Sequence, residues 1–492
     1  MSLILVTVDC LRADHVGWLG YAEPTTPFLD ALARQSTVFT NAIAAGSPTY
    51  YAFPAIMCSR SPLGLGRDVI GISPEEASLA STLKSAGYRT AAFIAGNPYL
   101  STDFGYGAGF DEFDDHLGES GSDQNGSYPE ESGNRLRTRA NAAVAQISHR
   151  LGPLGAVYDE MYFRYAQRMA SPRPECFDQL RCFPAADVIV EQACDWVTRQ
   201  GSSPFFLWLH LMDPHAPYYP SDTAMAWLGN DCSAANARYL NSYWARADVG
   251  ESRLRAHREE VMALYDAGIR YADHQISRLV LHLRQLQLWN ECVIAVTADH
   301  GEEFLDHGGR FHAPSKLTEE IIHVPLLVHL PREQEQRRVI TPFSLLNLAP
   351  TLLDILDIPA MPGFQGRSYW TRIQKNQAWS EAAISECIKG CNNPFRKADR
   401  LGQRILSVRE ERYKLVIDFD RDGEQLFDLL EDPKEQNPLP RNILKPVRAR
   451  LLQAANRHLE RNSKAVDMEY RLAAKLRELR SEETPAEEAL YA

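Results

Sequence analysis

Three short apolar runs, Leu3–Val8, Pro204–Leu211 and Val293–Val296, each stop at residues able to do chemistry. Runs that short and that uniformly apolar read as strands buried on both faces, as in a largely parallel sheet. Asp9 follows the first run. Asp213 and His215 follow the second, and Asp299 and His300 follow the third, with His307 and His312 close behind. Open α/β sheets gather their ligands at the carboxyl ends of the strands. Groups far apart in sequence are therefore expected at one edge.

The segments between these runs complete the pattern. Val38–Ala42, Tyr88–Ala95 and His323–Val328 read as further strands, and Gly109–Asp115 as a loop. Thr25-Thr26-Pro27 opens a helix, with proline where a first turn accepts it. Helices are also expected over Ser73–Ala86, capped by Ser73, over Arg135–Arg150, Ala186–Arg199 and Phe343–Leu356, and over Arg255–Gln287 as two helices or one with a bend. Residues 224–252 are weakly patterned. The expected fold is α/β, a large mostly parallel sheet sandwiched by helices over residues 1–375, interrupted by a polar excursion at about 116–184. A small α+β subdomain follows over 376–492. Its antiparallel strand signals are Ile384–Glu386, Ser407–Glu410, Tyr413–Phe419 and Gln425–Leu429, with helices from Leu444 to Arg480.

Charge narrows the function. Among 492 residues, 52 Lys and Arg face 64 Asp and Glu, a formal charge of -12. That disfavours nucleic acid as a partner and leaves room for a local pocket that takes a small anionic substrate. The N-terminus has no basic segment, and Asp9 interrupts its apolar run, so it reads as a strand and not as a signal peptide. No run reaches the ~18 apolar residues of a membrane helix. Nine cysteines without metal-site or disulfide spacing suggest a cytoplasmic protein with free thiols, Cys58 being a plain buried one. Homo-oligomerisation is left open.

Asp and neutral His both ligate divalent metals. A metal on Asp9, Asp299 and His300 would lower the pKa of a nearby hydroxyl and polarise a phosphoryl or sulfuryl group. Ser47 and Thr49, in a turn after Val38–Ala42, supply that hydroxyl, and local chemistry does not separate them. His215 and His312 could bind anionic oxygens or protonate a leaving group, and Arg12 and Lys316 could neutralise developing charge.

At this point the chain resembles the sulfatase branch of the alkaline phosphatase superfamily. The resemblance rests on residues 6–17 (VTVDCLRADHVG), 24–50, 83–93, 204–218 (PFFLWLHLMDPHAPY), 297–308 (TADHGEEFLDHG) and 324–331, and the C-terminal 413–419 and 426–439 look like the small domain of such enzymes. It implies an alkaline phosphatase-like fold and a hydrolase of phosphate, phosphonate or sulfate esters. It also implies one divalent metal on Asp9, Asp299 and His300, with a second metal allowed. His215 would sit at the substrate oxygens or leaving group, with His307 in a similar supporting role and His312 and Lys316 lining the pocket.

The nucleophile departs from the family. Sulfatases carry a Cys or Ser in a C/S-x-P-x-R stretch, which is oxidised to formylglycine. The matching stretch here puts Thr49 at that position and Phe53 in place of the Arg. Oxidation of Thr gives a ketone, so no formylglycine is expected. Related phosphatases and phosphodiesterases instead use a metal-activated Thr directly. Cys10 stands where sulfatases have a second metal-binding Asp, which favours zinc or manganese over calcium. Two other readings remain: a phospho- or sulfotransferase through the same covalent intermediate, and a non-catalytic binding protein that kept the metal site.

Overall fold

The computed structural model describes residues 1–118, 160–165, 167, 174–201, 203–419 and 423–462. The expected helix at 135–150, most of the excursion and the chain after 462 lie outside the described residues.

The apolar runs form the centre of a nine-stranded sheet. Its strands are β1 (Ser2–Val8), β2 (Thr37–Ile43), β3 (Arg89–Ile94), β4 (Glu112–Asp114), β5 (Phe205–Leu211) and β6 (Cys292–Thr297). Beyond a two-stranded ribbon of β7 (Glu303–Phe304) and β8 (Arg310–Phe311), β9 (His323–His329), β10 (Arg337–Val339) and β11 (Phe343–Ser344) complete it. The order is β10-β2-β9-β6-β1-β5-β3-β4, with β11 beside β2. β1 pairs parallel with β5 on one side and β6 on the other. Val8 lies opposite Leu211 and Thr7 opposite Thr297, so the three carboxyl ends coincide. β9 runs antiparallel between β6 and β2, which leaves the end of β2 at the same edge as those of β1 and β6. All of β1, β5 and β6 is buried, as continuous apolar runs require.

Helices α1 (Pro27–Ala33), α2 (Thr49–Cys58), α3 (Leu79–Ser85), α4 (Ala186–Gln200), α5 (Arg258–Gln285) and α6 (Leu348–Ile355) flank the sheet. α4 packs on α5, β3 and β5, while α2 contacts α3 and α6. None of the described helices is long and apolar enough to cross a membrane, and all nine cysteines are unpaired.

Several expected elements are redrawn. α3 starts after Ser78, not Ser73, because Ser78 and Ser81 form a reciprocal capping box. Glu76, read as first-turn helix, is held instead by Arg60 and by the Ser73 N–H. α5 is one helix of 28 residues, neither split nor paired. The segment from Phe343 begins as strand β11 and a 3₁₀ turn, and α6 starts only at Leu348, with Pro350 in its first turn. Residues 112–114 add an edge strand where a loop was expected. The weakly patterned 224–252 contains three short helices, Asp222–Trp227, Ala234–Trp244 and Glu251–Leu254, the first two capped by Ser221 and Ser233.

The C-terminal strands form an antiparallel meander of β12 (Ala383–Ile388), β13 (Arg404–Arg409), β14 (Tyr413–Asp418) and β15 (Gly423–Asp428). One cluster joins Ile388 and Ile405 of this sheet to Ile43, Tyr51 and Ile322 of the main body. Another joins Leu406, Val408 and Leu415 to Leu451 and Ala455 of the helix at 445–462. A buried ionic knot reinforces the junction. Lys414 Nζ lies 2.8 Å from Glu435 and 3.1 Å from Glu319, which also faces Arg409 at 3.4 Å. Burial opposes ionisation of Glu319, yet Lys414 and Arg409 hold it down at about 2. Removing one partner of a buried pair strands the other charge, so Lys414→Met should lower unfolding free energy by about 3–5 kcal/mol in urea titrations. A loss below ~1 kcal/mol would show that the knot is solvated.

Candidate active site

β1 delivers Asp9, whose N–H donates to the Leu211 carbonyl at 2.9 Å and so ties the ends of β1 and β5 together. Asp9 is fully buried. Its Oδ2 accepts from Asn97 Nδ2 at 2.9 Å and lies 3.1 Å from His210 Nε2, and His210 Nδ1 sits 2.9 Å from Thr7 Oγ1. Oδ1 faces His300 Nε2 at 3.8 Å. β6 delivers Asp299 and His300. Asp299 Oδ1 accepts from the His300 N–H at 3.0 Å, while Oδ2, 3.4 Å from His300 Nε2, is buried without a hydrogen bond.

Two carboxylates this close perturb each other. Burial disfavours the Asp9 anion, but His215, His210 and His300 hold it well below the usual carboxylate range. Burial and the charge of Asp9 together raise Asp299. Among the described residues neither carboxylate has a Lys or Arg partner. An orphaned buried oxygen, a second carboxylate and an imidazole nitrogen make a donor set that fits a divalent cation. Thr49 Oγ1 lies 3.3 Å from His300 Nε2, so the hydroxyl reaches the same point. Thr49 opens α2, which places it at the positive end of a helix dipole. Ser47, its rival, is also buried, and its hydroxyl makes no hydrogen bond.

His300, His215 and His312 share one design. His300 Nδ1 lies 2.9 Å from the Gly301 carbonyl, His215 Nδ1 contacts the Ala216 carbonyl, and His312 Nδ1 lies 3.0 Å from Glu302 Oε2. Glu302 is fully buried and accepts from Tyr218 OH at 3.0 Å. Despite its burial, His312 and His215 keep Glu302 below the usual range. The His312 ring centroid is 4.6 Å from that of His300 and 5.0 Å from that of His215.

Comparison with known proteins identifies the lineage of this arrangement. The sulfatase family profile matches residues 2–358. The chain belongs to the sulfatase family. A further profile, N-sulphoglucosamine sulphohydrolase, C-terminal, matches residues 309–463. Arylsulfatase K of Canis lupus familiaris is 25% identical over 281 residues, covering 50% of this chain and 50% of that protein. The chain thus spans about half the length of the curated arylsulfatase K relatives it matches. An arylsulfatase of Clostridium perfringens is 23% identical over 468 residues, covering 88% of this chain and 89% of that protein. The crystal structure of the phosphonate monoester hydrolase of Agrobacterium radiobacter superposes with a TM-score of 0.64 at 17% identity, over 94% of this chain and 96% of that one.

Within this sulfatase-family chain, the remaining sequence candidates fall one step from the cluster. Arg12 is buried and divides its guanidinium between Asp14 at 2.7 Å and Asp306 at 2.9 Å. Lys316 Nζ pairs with Glu303 at 2.9 Å and donates to the His307 carbonyl at 2.7 Å. His307 joins Glu303 and Glu320 in a group of its own, Nδ1 lying 2.7 Å from Glu320. Burial disfavours the imidazolium of His307, but Glu320 raises its pKa above the ordinary value. Phe53 is fully buried, its ring 5.2 Å from that of His210.

Sequence reading passed over Asn97 and His210. A histidine inside the apolar run of β5 and an asparagine just beyond β3 were the available signals. α5 also went unread as a support. Tyr265 OH donates to the Cys10 carbonyl at 2.8 Å and accepts from the Arg12 N–H at 3.0 Å. Gly268 lets the loop of His215 rest on the helix, since a Cβ there would lie 2.4 Å from the Asp213 carbonyl oxygen. In an open helix Gly→Ala stabilises by up to ~1 kcal/mol. Overpacking here should reverse the sign, so Gly268→Ala should destabilise by about 1–3 kcal/mol. Denaturant titration checks it, and a stabilised variant would mean that the loop does not depend on this contact.

Proposed function

We propose that the protein is a metal-dependent hydrolase of phosphate, phosphonate or sulfate esters with Thr49 as its nucleophile. The observation that carries this reading is Thr49 Oγ1 at 3.3 Å from His300 Nε2, beside two buried carboxylates that have no Lys or Arg partner among the described residues. Asp9, Asp299 and His300 would hold the metal. Such a metal would supply electrophilic pull on the ester oxygens and favour loss of the Thr49 hydroxyl proton. Zinc or manganese suits an imidazole-containing set better than calcium does.

Thr49 Oγ attacks the phosphorus or sulfur, the bond to the leaving oxygen breaks, and that oxygen takes a proton as the alcohol departs. Water then attacks the phospho- or sulfo-threonine, releasing the oxyanion and restoring the hydroxyl. His215 and His312, whose rings lie 5.0 Å apart with His312 4.6 Å from His300, would serve the leaving oxygen. The positive end of α2 favours the anion. Asn97 and His210 orient Asp9, while Arg12, His307 and Lys316 hold the loop that carries His312. A direct hydroxyl nucleophile suits phosphoryl transfer, and a threonine in place of the formylglycine precursor turns this member away from the aldehyde-hydrate route. We place the protein in the cytoplasm, in keeping with its unpaired cysteines.

Thr49→Ala should cut turnover of aryl phosphates or aryl sulfates by on the order of 10³–10⁶-fold, as loss of a nucleophile does elsewhere. Thr49→Ser should retain activity. Acid quenching during turnover should trap an adduct on Thr49, located by peptide mass spectrometry. Undiminished turnover by Thr49→Ala would end the nucleophile assignment. Dialysis against a chelator should abolish activity, and zinc or manganese should restore it.

A further inference from the structure

The hydrolase reading gives His215 and His312 a place but leaves Cys10 idle between them. One ligand atom from each of Cys10, His215 and His312 lies within 4.8 Å of the other two. Cys10 Sγ is 3.3 Å from His312 Nδ1, a separation that two ligands of one ion can share. The three come from separate loops: just after β1, just after β5 and just beyond β8.

Their presentation matches what a metal demands. Metal-bound imidazoles usually rest their other ring nitrogen on a carbonyl or carboxylate, which fixes the tautomer. For His215 the Ala216 carbonyl takes that part. Cys10 is held at φ 61, a left-handed conformation that non-glycine residues adopt at a cost of about 1–2 kcal/mol, and Tyr265 OH fixes the Cys10 carbonyl and the Arg12 N–H just after it. Among the described residues, the other candidate cluster outside the Asp9 group, Glu303–His307–Glu320, already holds the ammonium of Lys316 at Glu303.

We propose that Cys10, His215 and His312 form a second metal site, selective for zinc, next to the ion assigned to Asp9, Asp299 and His300. A thiolate with two imidazoles is a borderline-soft donor set that favours zinc over magnesium, calcium or manganese. Three protein ligands leave a fourth position open to water or an ester oxygen. On binding, the thiol proton leaves to solvent as the sulfur–zinc bond forms, with no redox change. Cys10 Sγ also lies 3.1 Å from Asp9 Oδ1 and groups with Asp9 and His300, so the two sites adjoin. The inference rests on the hydrolase reading for the first ion, and it gives His215 and His312 their means of acting on the leaving oxygen.

The test is metal stoichiometry on the full chain, stripped with chelator and reconstituted with zinc, and in parallel with cobalt(II) for spectroscopy. Wild type should hold two zinc ions per chain by plasma mass spectrometry. The cobalt form should show thiolate-to-cobalt charge-transfer absorption. Cys10→Ser should keep one ion and lose the band. His312→Gln should bind the second zinc at least ~10-fold more weakly, in line with losses from weakened metal shells. Circular dichroism establishes that each variant is folded. A single zinc in wild type, or two in Cys10→Ser, would overturn the second site, as would a cobalt form without the band. Asp299→Asn separates the two readings. Loss of one ion with the band retained supports both sites; two ions retained would overturn the first assignment alone.

Discussion

The repulsion between Asp9 and Asp299 is the constraint on which the rest of the site depends. They follow β1 and β6, which pair in register. Neighbouring strands run ~4.8 Å apart. Two like charges at about that distance repel by about 3 kcal/mol at an effective dielectric constant of ~20. A hydrogen bond to a charged group contributes about 1.5–3 kcal/mol. Asp9 has such contacts with Asn97 and His210, and the charges of His215, His210 and His300 hold it ionised despite its burial. Asp299 accepts from the His300 N–H, and burial together with the charge of Asp9 raises its carboxyl. The fold has stabilised one anion and left its neighbour waiting for a positive charge that no Lys or Arg among the described residues provides.

Holding that arrangement requires support from outside the sheet, and α5 gives most of it. Tyr265 grips the loop after β1, and Asp266 takes His15 at 2.7 Å and Tyr21 OH at 2.6 Å. Gly268 seats the loop after β5. Asp273 accepts from the Phe28 and Leu29 N–H groups at 3.0 and 2.8 Å, fixing the start of α1. One uninterrupted helix thus sets the positions of three neighbouring segments. That is a physical reason for one continuous helix where the sequence allowed two.

The core strands were legible because burial on both faces leaves an unmistakable apolar run, and their polar terminators marked Asp9, Asp299 and His300. Element starts were less so. The sequence puts the cap at Ser73, whereas the folded chain caps the helix at Ser78 through Ser81 and holds Glu76 on Arg60, a contact made through the fold. The same limit applied to charge. Arg12 and Lys316 read as free cations until folding placed Asp306 and Glu303 beside them. Asn97 and Glu302 act only through other residues, which a linear pattern does not show.

The charge balance around Thr49 decides what a substrate meets. Asp9, Asp299 and Glu302 bring three negative charges if all are ionised, and imidazoles that ligate metal are neutral. One divalent ion leaves a net charge of about -1 before a phosphate dianion arrives, with the Cys10 thiol protonated among those carboxylates. A second ion that takes the thiolate as ligand brings two positive charges against one negative, and the site becomes neutral. The phosphate would then enter a field shaped by α2 and by open metal positions, not by opposing carboxylates. The residue that looks like a lost metal ligand, Cys10 in place of an acid, becomes the one through which the site accommodates an anion.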